Sequence, residues 1–198
     1  MSKFDKRTQY LANAILSSTL VLALGSVDIA FAAADPDDSR RAAISQRGKE
    51  LFRSTKNHCH AFRDLTAFAI TKSSATGVVL EDLKLVLIGQ DLRKRGSGPY
   101  YIGKEPGARG DSGFTKSLQD GSPQVEHAMA AIYIGKHFPP GSAEALALIT
   151  EVAEPLISGG KMNGADVALW TLGADAGQRV HDKELAKLPG VIERTMCE

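Results

Sequence analysis

From Pro123 to His137 the chain carries Val125, Ala128, Met129, Ala131, Ile132 and Ile134, so a helix through this segment has almost no polar face. Such a helix cannot lie on a surface; other helices have to enclose it. Pro123 suits the first helical position after Ser122, and the helix is expected to stop before Phe138-Pro139-Pro140.

Segments on both sides have the periodicity to form that enclosure. Asp38 or Ser39 caps a helix running to about Arg53, with Ala43, Ile44, Leu51 and Phe52 inward and Gly48 interrupting it. From Cys59 to about Lys72, Phe62, Leu65, Phe68 and Ala69 recur at helical spacing. Leu80 to Leu92 fits a helix through Leu83, Val86 and Leu87, with a buried strand over Leu85 to Ile88 as the alternative. Ser142 caps a further helix with Leu146, Ile149, Val152 and Ala153 inward. Another starts after Asn163, with Asp166 in its first turn and Ala165, Ala168, Leu169 and Leu172 on one face. Gly173 and Gly177 leave room there for a neighbouring helix to approach closely, and two short helices follow toward Cys197. The expected fold is all-α, a compact orthogonal bundle of five to seven helices.

Residues 95 to 121 break the pattern with seven glycines, two prolines and few periodic apolar residues. They read as one long Gly-rich loop that supplies little apolar area, and loops of this length in compact domains often carry function.

The first 32 residues have the parts of a cleavable secretory signal peptide: Lys3, Lys6 and Arg7, an apolar stretch from Ala14 to Leu24, and the small-x-small site Ala30-Phe31-Ala32. Cleavage after Ala32, or within Ala33 and Ala34, leaves a single helical domain over 33–198, secreted or periplasmic. An uncleaved anchor over Leu11 to Ala34 is disfavoured by Asp28, because a carboxylate in lipid is costly. No stable membrane anchor is expected after cleavage. The leader accounts for the net charge of +1, so the remainder is neutral and has no general attraction to nucleic acid. The local run Arg93-Lys94-Arg95 before Gly96 reads as a helix end.

Cys59 and Cys197 both survive cleavage, and an exported chain with an even cysteine count pairs them. Such a bridge closes a loop of more than 100 residues, worth about 4–5 kcal/mol in the chain-entropy model.

Several motifs suggest chemistry, and each also has a plainer reading. Gly98 to Lys104 spells the glycine and lysine positions of a phosphate-binding loop, but Glu105 stands where the magnesium-binding hydroxyl is needed and Pro106 follows, so no nucleotide cofactor is expected. Arg109-Gly110-Asp111 matches the tripeptide that integrin-type receptors read as a paired cation and carboxylate; a glycine turn is the plainer reading, and the three remain a candidate contact loop. His58 and His60 flank Cys59 but cannot share one helical face, and no second Cys/His cluster has standard spacing, so no metal is expected. Gln124 and His127 lie three apart on one side of the apolar helix, with Asp166, or Asp111 and Asp120 from the loop, available to orient the imidazole. A satisfied core histidine is the preferred reading over a substrate-facing one. Glu126 and Glu144 read as solvated or near helix starts.

The first expectation for function is a non-catalytic exported module that binds a protein or envelope component through the loop and the adjoining helix start. The alternative is a small extracytoplasmic hydrolase acting on cell-wall polymer, with His127 as base or Cys59 as nucleophile. A pocket at His127 and an unpaired Cys59 would favour the enzyme.

Overall fold

The computed structural model describes residues 38–90, 98–121, 123–139, 141–142, 164–180 and 184–198. The leader, the Arg93-Lys94-Arg95 run and the helix expected after Ser142 lie outside the described residues. Six α-helices are present among the described residues: α1 (Asp38–Ser54), α2 (His58–Ile70), α3 (Thr76–Leu87), α4 (Gln124–His137), α5 (Gly164–Arg179) and α6 (Leu188–Met196). Short 3-10 turns occupy Lys116–Leu118 and Leu185–Lys187. The architecture is an all-α bundle, with no strand among the described residues beyond an isolated antiparallel bridge between Phe114 and Cys197.

Helix α4 is enclosed as its composition requires: every residue from Gln124 to Gly135 is buried. Pro123 stands at the N-cap position rather than the first helical one, and its carbonyl accepts from the His127 amide at 3.1 Å. The heaviest helix contact is α4 against α5, and glycines make it possible. A Cβ at Gly177 would strike the Ile132 carbonyl and the Lys136 amide nitrogen, and one at Gly135 would strike the Ala174 backbone. The two backbones therefore touch, as the Gly173 and Gly177 spacing foretells. The buried face of α5 overlaps the expected one only in part. Asp166, Leu169, Trp170, Gly173, Ala174, Ala176 and Gly177 are buried, whereas Ala168 and Leu172 are only partly so. Close approach to α4 centres the interface on the small residues and leaves Ala165, Ala168 and Leu172 only partly buried at its edge.

Helix α3 settles the choice over Leu85 to Ile88 in favour of a helix, which begins at Thr76 and ends at Leu87. The stop comes from Gly89, whose φ of 109° lies in the left-handed region; the Ile88 and Gly89 amides both return to the Lys84 carbonyl, at 2.8 and 3.0 Å. Helix α1 packs through its glycine. A Cβ at Gly48 would meet Ile102 Cδ1 at 2.5 Å, so the residue that weakens the helix locally is the one that lets the loop dock. Asp82 of α3, 1% exposed, accepts from Arg40 Nε at 2.5 Å and Arg41 Nε at 2.9 Å, which ties α1 across to α3.

The loop is less bare than its glycines imply. Ile102, Ala108, Phe114 and Leu118 are buried in the core. Its backbone is held along its length: the Ile102 amide donates to the Val86 carbonyl at 2.9 Å, and the Tyr100 carbonyl accepts from Ser45 Oγ at 2.8 Å. Farther along, the His58 and Cys59 amides donate to the Ser112 carbonyl at 2.9 and 3.1 Å. The expectation of little apolar burial fails because these side chains follow no helical or strand period.

Candidate functional site

The first turn of α4 faces the loop and α5, and its polar residues sort into separate ties. His127, 6% exposed, sets Nδ1 3.0 Å from Asp166 Oδ1, with its ring 6.2 Å from that of Trp170. Both residues sit in first turns of helices packed against each other, so the pair follows from the α4–α5 seam. Gln124 Nε2 donates to the Leu118 carbonyl at 2.6 Å and to Asp120 Oδ1 at 2.9 Å; its Oε1 is buried without a hydrogen-bond partner. Asp111 joins neither residue: its Oδ2 accepts from the Gly121 amide at 2.9 Å. Of the three aspartates grouped from sequence, the structure gives Asp166 to His127, Asp120 to Gln124, and Asp111 to a turn within the loop.

Glu126 stands in the first turn of α4, as one of its two expected placements has it. It is 1% exposed, not solvated, because Tyr101 donates its hydroxyl to Oε1 at 2.9 Å and Arg109 Nε lies 2.8 Å from the same oxygen. Oε2 has no hydrogen-bond partner. Nothing in the spacing signals this arrangement, since both partners come from the irregular loop. It also changes the meaning of Arg109-Gly110-Asp111. Arg109, half exposed, is committed to Glu126; a Cβ at Gly110 would overlap the His58 ring; and Asp111 closes the loop turn. Each of the three residues has a structural task.

At the start of α2, Asn57 Oδ1 caps the helix by accepting from the His60 amide at 2.9 Å. His58 Nδ1 lies 2.8 Å from Ser112 Oγ, which also donates to the Lys56 carbonyl, and the ring packs against Gly107 and Gly110. Burial pushes the His58 imidazole below its ordinary value of 6.5, with Asp111 acting in the opposite sense. Cys59 is bonded to Cys197 with a Cα–Cα distance of 5.5 Å, and neither cysteine is free. The nucleophile reading of Cys59 is thereby overturned, since a sulfur in a disulfide has no thiolate to attack with. One ligating atom from each of His60, Glu193 and Cys197 lies within 4.8 Å of the others, although the sulfur belongs to the bridge.

A groove of about 510 Å³ opens between α1 and α2, lined by Ala43, Gln46, Arg47, Glu50 and Phe68. None of the candidate polar residues lines it. No described helix is long and apolar enough to cross a membrane. No family model, curated protein or solved structure matches the chain. The contacts describe a firmly anchored loop beside a polar helix start whose groups are mostly spent on one another.

Proposed function

We propose that this chain is exported with residues 1–32 removed, and that the remaining domain binds a protein or envelope component through the outer surface of the loop and the start of α4. The observation that carries this reading is the loop's attachment to the disulfide-bonded C-terminus. The Thr115 amide donates to the Met196 carbonyl at 2.8 Å, and the Glu198 amide to the Gly113 carbonyl at 2.9 Å, on either side of the Phe114–Cys197 bridge. A loop ordered before it meets a partner loses less conformational entropy on binding. The cysteine pair accords with an oxidising compartment. Lys104 and Lys116 are exposed on the loop, with Asp120 as an exposed acid on the same segment, which favours an acidic partner surface.

Two measurements test the reading. Mass spectrometry of exported material should find chains beginning at Ala33, Ala34 or Asp35, and an intact Met1 end retained in membranes would refute export. The oxidised protein should sediment saturably with cell envelopes from its source, and Lys104→Glu with Lys116→Glu should weaken that binding roughly tenfold or more, given that charge reversal places like charges at the contact. Absence of saturable binding, or binding indifferent to both substitutions, would overturn the loop as the contact surface.

A further inference from the structure

We propose that opening the Cys59–Cys197 bridge creates a zinc site in which the two thiolates, the His60 imidazole and the Glu193 carboxylate hold one Zn²⁺. This goes beyond the binding reading and does not depend on it. The four residues come from two places only: Cys59 and His60 from the first turn of α2, Glu193 and Cys197 from α6 and the residue after it.

The oxidised protein already has much of the required geometry. Zinc in structural sites is tetrahedral, with sulfur at about 2.3 Å and nitrogen or oxygen at about 2.0–2.2 Å. For those bond lengths the nitrogen-to-oxygen edge of the tetrahedron is about 3.4 Å. His60 Nε2 stands 3.4 Å from Glu193 Oε1, and it makes no hydrogen bond. A histidine and a glutamate meeting at a surface are common; the sulfur pair beside them is what distinguishes this cluster. Cys197 Sγ lies within 4.8 Å of both ligand atoms, and Cys59 Sγ is bonded to it.

Charge and access agree with the geometry. Two thiolates and a carboxylate around Zn²⁺ leave one negative charge, and Arg63 Nη1, 2.6 Å from Glu193 Oε2, offsets it while holding the carboxylate in place. Glu193, 40% exposed, gives the cluster an edge on solvent, while His60 Nε2 itself is covered.

The chemistry balances with a dithiol as reductant. The dithiol supplies two electrons and closes its own disulfide; the Cys59–Cys197 bond breaks, and both sulfurs become thiols. Zn²⁺ then displaces one proton from each thiol, while neutral His60 binds through the Nε2 lone pair and Glu193 as its carboxylate. The metal takes over the work of the bridge, holding the C-terminus on α2 while the chain is reduced.

The test uses the full chain, reduced with a dithiol, freed of it under inert gas and titrated with Co²⁺. A single Co²⁺ per chain should give the intense visible bands of a tetrahedral thiolate site, and Zn²⁺ should displace it; the oxidised chain should give none. His60→Ala and Glu193→Gln should each weaken Zn²⁺ binding at least about tenfold, and Zn²⁺ should protect both thiols from alkylation in the parent chain. The proposal fails if the reduced chain shows no thiolate–Co²⁺ bands. It fails equally if both variants bind as tightly as the parent, because the cysteines alone would then be the ligands.

Discussion

The α4–α5 seam and the C-terminal clasp hold this protein together in opposite ways. At the seam, Gly135, Gly173 and Gly177 remove side chains so that two helix backbones meet, and stability comes from dense packing over a wide contact. At the clasp, a bond between residues 138 apart, one β-bridge and two flanking backbone hydrogen bonds gather α2, the loop and the last residues of the chain. The seam should be vulnerable to added volume and indifferent to reductant; the clasp should behave the other way round.

The largest expected effect lies at the clasp. Replacing Cys59 and Cys197 together by Ala should lower stability by about 2–5 kcal/mol in denaturant titration. Hydrogen exchange then sharpens the contrast: the Thr115 and Glu198 amides should exchange faster while those of α4 stay protected. Equal loss of protection in α4 would show that clasp and seam are one cooperative unit.

Gly177→Leu attacks the seam instead and should cost about 3 kcal/mol, since the new side chain meets backbone atoms of α4 that cannot rotate away. Gly77→Ala in α3, where a Cβ would meet nothing within 4 Å, serves as the control. It should be neutral or stabilising by roughly 0.5–1 kcal/mol. A seam variant as stable as the parent would mean that the helices separate at little cost.

His127→Ala probes the polar tie within the seam. Removing the imidazole takes a buried partner from Asp166 and should lower stability by about 1–3 kcal/mol. Envelope binding should fall only as the folded fraction falls. An unchanged melting temperature with lost binding would assign His127 to ligand contact.

The smallest effect is a pH dependence of the loop's anchorage beside the clasp. The His58 imidazole has a folded value below the ordinary 6.5, so the unfolded chain takes up its proton first as pH falls. The stability linked to His58 is present above pH 6.5 and declines as pH drops through 6.5 toward the lowered value. His58→Gln should flatten that decline in melting curves taken between neutral and mildly acid pH. A slope unchanged by the substitution would place the titration elsewhere, His137 being another imidazole lowered by burial.

What could be read from residue order was whatever repeats over a few residues, together with the cysteine count. The apolar run of Val125, Met129 and Ile132 determined that α4 is enclosed, the spacing of Gly173 and Gly177 that its neighbour comes close, and the even cysteine count that Cys59 pairs with Cys197. Backbone hydrogen bonds within a helix impose that short period, so the pattern survives without knowledge of the fold. The tertiary structure alone decided where irregularly spaced groups go. Ile102 and Phe114 are buried because distant helices offer them a surface. Glu126 is buried because Tyr101 and Arg109 arrive from the loop, and the α5 face is shifted because Gly135 lies opposite Ala174. In each case burial depends on atoms delivered by a segment far away in the chain, and no local period records which segment that will be.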